Sequence, residues 1–167
     1  MSLLFVIVRA VTYATLFVGL WLVFVPARVL AWAGIARPAA LGAAQGIGMA
    51  VAIAGGALAL WCILAFAFVG RGTPAPFDPP RRLVVRGPYR FVRNPMYIGA
   101  ATALLGAAAF YGSIALAAYA IVFLLATHAF VVGYEEPTLR ATFGEDYARY
   151  CGAVRRWRPR IQAVSLD

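Results

Sequence analysis

The chain has no lysine, one histidine, two cysteines and only six acidic residues among 167. Each shortage excludes something. Cys62 and Cys151 fall in an apolar run and in a polar tail, so no disulfide framework is expected. With a single histidine, no metal-ligand spacing exists either. Scarce acid leaves a formal net charge of +9, carried by 15 arginines. Such basicity can signal nucleic acid. Here, however, the arginines gather between and after apolar runs, which is the pattern of membrane orientation, so no nucleic-acid partner is expected. The amino terminus lacks a positively charged n-region, and its apolar stretch is long enough to span and too long for a signal h-region.

Apolar surface is what the chain has in excess. Hydrophobic residues make up 63% of it, and the mean hydropathy is +0.82. Soluble domains stay near half apolar. The bilayer is therefore the natural solvent, and one domain over 1–167 is the default at this length.

The first apolar run covers about 3–25, with Arg9 near its start and Trp21 near its end. A linker from Pro26 to Pro38 carries Arg28 and Arg37. The second run covers about 41–69. Its Gly42 and Gly46, four apart, and its Gly55-Gly56 pair would let helices approach closely in lipid. A polar connector over 70–94 follows. Pro74, Pro76, Pro79 and Pro80 rule out a regular helix there, Leu83 to Val85 can be briefly extended, and Gly87-Pro88 marks a turn.

Residues 95–134 hold no acidic residue and no arginine. As one helix they would reach about 60 Å, roughly twice a bilayer core. The stretch must fold back, and Tyr111-Gly112-Ser113 is the best hinge, giving spans of about 95–110 and 114–134. The tail over 135–167 repeats Leu139, Phe143, Tyr147, Tyr150 and Val154 at steps of three and four, one amphipathic helical face. Gly144 is expected to interrupt it as a cap. The fold expected is all-α: a polytopic membrane protein of about four transmembrane helices, with a C-terminal helical hairpin and an amphipathic tail. Twelve arginines of connector and tail oppose Arg28 and Arg37 across the membrane. Both termini should therefore be cytosolic, in a multi-pass protein of a bacterial inner membrane.

An antiparallel hairpin returns to the side where it began. Arg90, Arg93, Asn94 and Tyr97 should then meet Glu135 and Glu136 at one mouth. Asn94-Pro95 is a good helix start, with Asn as N-cap and Pro at the first position. A helix N-terminus beside Arg93 is also an anion site. The adjacent carboxylates suit an ammonium group or ribose hydroxyls, and carboxylates near a membrane core are costly and often functional. His128, seven residues before Glu135, lies two turns along the same face and is either a packing residue or a proton acceptor. Arg155, Arg156 and Arg158 are too numerous for single roles.

The strings GPYRFVRNPMYIG and YEEPTLRATFGEDYARYCGAVRRWRP resemble the isoprenylcysteine carboxyl methyltransferase and phospholipid methyltransferase superfamily over roughly residues 83–160. The resemblance implies an integral membrane methyltransferase that uses S-adenosylmethionine and acts on a membrane lipid or isoprenoid substrate. The cofactor site it implies lies at the cytosolic ends of the last spans. Matched to this chain, its motifs fall on Arg93, Asn94, Pro95 and Tyr97, followed by Gly99, and on Glu135 and Glu136. In the tail they fall on Phe143, Gly144, Tyr147, Tyr150, Arg156 and Pro159. Tyr89 and Tyr134, inside the same strings, join His128 as aromatic candidates for the cofactor site. Arg93, Asn94 and His128 are the catalytic candidates. Asn94 stands where isoprenylcysteine methyltransferases commonly have histidine, and the NPMY and YEEP strings are closer to phospholipid N-methyltransferases. The alternatives are an NADPH-dependent sterol or isoprenoid reductase and a non-enzymatic four-span protein.

Overall fold

The computed structural model describes residues 8, 12, 13, 15–70 and 82–164. Arg9, Arg71, Arg81 and the prolines from Pro74 to Pro80 lie outside them. Among the described residues the main helices follow in order: α1 Thr15–Trp32, α2 Ala43–Ala65, α3 Pro95–Tyr111, α4 Ile114–Phe130 and α5 Glu136–Ala153. Among the described residues no strand occurs. Segments α1, α2 and the continuous helix from Ile114 to Ala153 are long and apolar enough to cross a membrane. Helix α3 is shorter, with 17 residues, or about 25 Å.

Helix α1 runs past the expected linker. Its Val18–Phe24 stretch is π-helical, and Pro26 sits buried in the first turn of the α-helical part that reaches Trp32. Pro26 has no N–H to give the preceding turn, and the helix continues through it all the same. The segment before α2 is therefore shorter than Pro26 to Pro38 suggested.

Helices α2 and α3 pack antiparallel through glycines seven residues apart. A Cβ at Gly55 would lie 2.4 Å from the Ala103 backbone nitrogen, and one at Gly48 2.5 Å from that of Phe110. On the facing helix, a Cβ at Gly106 would meet the Ala52 nitrogen at 2.3 Å, and one at Gly99 the Ala59 nitrogen at 2.8 Å. Backbone thus touches backbone, the close approach that small residues permit in lipid. The sequence pointed to the wrong glycines in part. Gly46 and Gly56 face open space, and Gly42 meets only its own Gln45 side chain.

The α3–α4 turn is made by Gly112, left-handed at φ +60°, and by Ser113, whose hydroxyl accepts from the Leu116 amide at 3.1 Å. The hairpin core is Tyr97, Ala100, Ala101, Leu104, Ala120, Phe123 and Val131, with Phe17 and Leu22 of α1 against it. The Tyr119 hydroxyl donates to the Trp21 carbonyl at 2.8 Å and fixes α1 beside α4.

Helix α4 does not end where the apolar run ends. A π-helical turn, Val131–Glu135, carries it directly into α5. Gly144 interrupts this helix as expected: its φ of +52° and ψ of −121° are non-helical, and the two parts meet there at a kink. The amphipathic face expected of the tail is present. Tyr147, Tyr150 and Val154 are buried together, with Leu139, Phe143, Leu83 and Val85 around them. Beyond Ala153 the chain turns back as an irregular strap over 155–164.

Candidate functional site

The mouth of the hairpin is built from the start of α3, the π turn after α4, and the strap. Before α3, residues Gly87–Arg90 form one 3-10 turn, opened by Gly87 at φ +56°. The strap is laced onto the next residues. The Arg93 amide donates to the Arg155 carbonyl at 3.0 Å, Arg160 N–H to Phe91 at 3.0 Å, and Val164 N–H to Arg90 at 3.2 Å. Arg90 Nε returns to the Val164 carbonyl at 2.8 Å. Tyr150 Oη donates to the Tyr89 carbonyl at 2.7 Å from within the tail.

Asn94 occupies the N-cap position, yet its side chain does not cap. Instead Nδ2 donates to the Arg156 carbonyl at 3.2 Å. The side chain expected to cap the helix is turned to the strap instead. Pro95 follows, fully buried, and the first turn of α3 keeps its amides free of a side-chain cap.

The two neighbouring glutamates part company. Glu135 accepts from the Tyr97 hydroxyl at 3.1 Å. Glu136 takes two parallel bonds from Arg156, Nε to Oε1 at 2.7 Å and Nη2 to Oε2 at 2.8 Å. Arg93 Nη1 reaches the same Oε1 at 3.1 Å and also donates to Cys151 Sγ at 2.8 Å. The hydrogen bond from Arg156 holds the Glu136 carboxyl below the usual carboxylate range, with both arginine charges adding to it. The same bond holds the Arg156 guanidinium more firmly protonated. Arg93 and Glu136 are each only 12% exposed. Arg93 Nε is buried and finds no acceptor among the described residues.

Arg93, Asn94, Pro95, Tyr97, Glu135 and Glu136 therefore converge. Tyr147 lies beneath them, buried against Tyr150. Four other candidates are placed differently. Gly99 faces α2 in the helix contact. Tyr89 packs against α2 with Cys62 and Val84, its ring edge-on to Phe66 at 5.3 Å. Tyr134 is 45% exposed and stacks on Phe130.

His128 is exposed, and its Nδ1 accepts from the Trp157 indole at 2.9 Å. The expected shared face with Glu135 is lost because the π turn lies between them and breaks the seven-residue register. With Nδ1 accepting, neutral His128 carries its proton on Nε2 and presents a donor there.

Sequence reasoning missed Arg156 as an individual, and missed Cys151 and Trp157 altogether. The only signal for Arg156 was the RxxP pattern at Arg156 and Pro159, diluted by its arginine neighbours.

A family model described as phospholipid methyltransferase matches residues 44–146. The match takes in α2, which the motifs alone did not single out, and ends before the strap. No curated protein and no solved structure matches the chain.

Proposed function

The chain belongs to the phospholipid methyltransferase family, and from that premise we propose that it transfers a methyl group from S-adenosylmethionine to a membrane-embedded lipid. It is an integral membrane methyltransferase. The donor and the acceptor are our reading of the site.

The observation that carries the reading is the convergence, at one end of the hairpin, of an arginine with an orphaned buried donor and a carboxylate that accepts from a tyrosine. The residues fit S-adenosylmethionine. Its carboxylate suits Arg93 Nε and the uncapped first turn of α3, a place where anions are favoured. Its ammonium or ribose suits Glu135, since Glu136 is committed to two arginines. Its adenine can lie against the aromatic side chains at the mouth, Tyr97 and Tyr147 among them. When bound, this cofactor supplies an electrophilic methyl group on a sulfonium.

The protein's own contribution is positioning, which by itself can lower a displacement barrier by several kcal/mol. Tyr97 fixes the Glu135 carboxylate. The acceptor is a lipid or isoprenoid-linked carboxylate or amine that enters sideways from the bilayer. A carboxylate needs no base. An amine must first lose a proton before it attacks. His128, exposed and bonded to Trp157, stands apart from this convergence. The arginine imbalance supports a cytosolic connector and tail.

Membranes containing the protein should be incubated with methyl-labelled S-adenosylmethionine and their lipids identified by mass spectrometry. A labelled lipid absent from control membranes is expected. No label, together with binding of NADPH in place of S-adenosylhomocysteine, would point to the reductase alternative instead.

A further inference from the structure

Two guanidinium groups share one carboxylate at the mouth. Arg156 meets Glu136 face-on, with both oxygens engaged. Arg93 receives a single contact, at 3.1 Å, to an oxygen Arg156 already uses. Arg93 is also the more buried of the two, 12% exposed against 33%. Two guanidiniums divide one carboxylate between them, and among the described residues one of their donors is left unpaired: Arg93 Nε. Buried charge and unsatisfied donors are costly unless an acceptor arrives.

Without Arg156 the arrangement would relax. Carboxylate and guanidinium prefer a two-bond fork. Glu136 and Arg93 are already in contact, so Glu136 would close that fork on Arg93 and neutralise it. The strap carries Arg156 to the one place that prevents this. Its backbone is fixed there by the Arg155 and Arg156 carbonyls, which accept from the Arg93 amide and from Asn94 Nδ2.

We infer that Arg156 is a positioning residue that holds Glu136 off Arg93 and so keeps Arg93 open for the carboxylate of the methyl donor. The inference rests on the donor-site reading above. It gives the irregular strap, beyond the part of the chain that matches the family, a role in ligand selectivity.

The test is calorimetry on the full-length protein in detergent with two ligands. One is S-adenosylhomocysteine. The other is its decarboxylated form, which keeps the amine and lacks the carboxylate. Arg156→Gln should weaken the first by about tenfold, the size of one charge-assisted hydrogen bond, and leave the second unchanged. Arg156→Lys, which keeps the charge but not the fork, should show a smaller loss confined to the first ligand. Arg149→Gln removes an exposed pair with Asp146 and should change neither. Equal weakening of both ligands would make Arg156 merely structural and overturn the inference, as would no change in either. If Arg156→Gln does not survive purification, the Arg156→Lys pattern decides by the same criterion. Failure of the unaltered protein to bind either ligand would instead remove the donor-site reading, and the inference with it.

Discussion

At the scale of single residues, neighbouring identical side chains have been given different tasks. Glu135 and Glu136 are adjacent, yet one answers to a tyrosine and the other to two arginines. Losing the hydroxyl in Tyr97→Phe should weaken S-adenosylhomocysteine binding about tenfold, the worth of a hydrogen bond to a charged group. Glu135→Ala should abolish binding. Unchanged calorimetric affinity in both would remove these residues from the site. Glu136 supplies the pH dependence. Its carboxyl is held below the ordinary range by the bond from Arg156. A depressed folded-state pKa stabilises above the unfolded value, about 4.3, and the stabilisation is lost as pH falls through the folded value. Docking of the strap should thus be flat from about pH 8 to 5 and loosen only in stronger acid. Hydrogen–deuterium exchange at the Arg93 amide, which donates to the Arg155 carbonyl of the strap, would check this. A transition centred near neutrality would contradict it.

At the scale of elements, glycine placement decides which helices touch. Gly55→Ala puts a methyl group 2.4 Å from the Ala103 nitrogen and 2.6 Å from the Gly99 carbonyl oxygen, with no flexible side chain to yield. Overpacking of this kind costs about 1–3 kcal/mol, so the melting temperature in detergent should fall by several degrees. Gly46→Ala, on the same helix with nothing within 4 Å, should be neutral or mildly stabilising, because alanine favours the helix. Equal melting temperatures for the two variants would refute the backbone contact. The π turn at Val131–Glu135 is the other decision at this scale. It changes the angular register between the apolar span and the polar helix, aiming Glu135 at Tyr97 while leaving His128 outside.

At the scale of the whole molecule, the strap closes what the hairpin opens. A chain truncated before Arg155 loses the Arg156 clamp, the Trp157–His128 contact and the lacing to residues 90–93. It keeps every apolar helix, so it should still insert into membranes but should no longer bind S-adenosylhomocysteine. Membrane fractionation with calorimetry would show this, and full binding by the truncated chain would remove the strap from the site. Hydropathy and the Gly112 hinge made the helical membrane fold legible, because each follows from local composition and the cost of polar groups in lipid. The meeting of Arg93, Asn94 and Tyr97 with Glu135 and Glu136 was legible too, since an antiparallel hairpin must bring its ends together. What only tertiary structure decided was the partner of each group. Asn94 left its cap for the strap, Arg156 was chosen among several arginines, and Gly48, Gly55, Gly99 and Gly106 were chosen among many glycines. These choices depend on distances across elements far apart in the chain, and one-dimensional spacing does not encode which of several like residues will lie within a few ångströms of a given carboxylate.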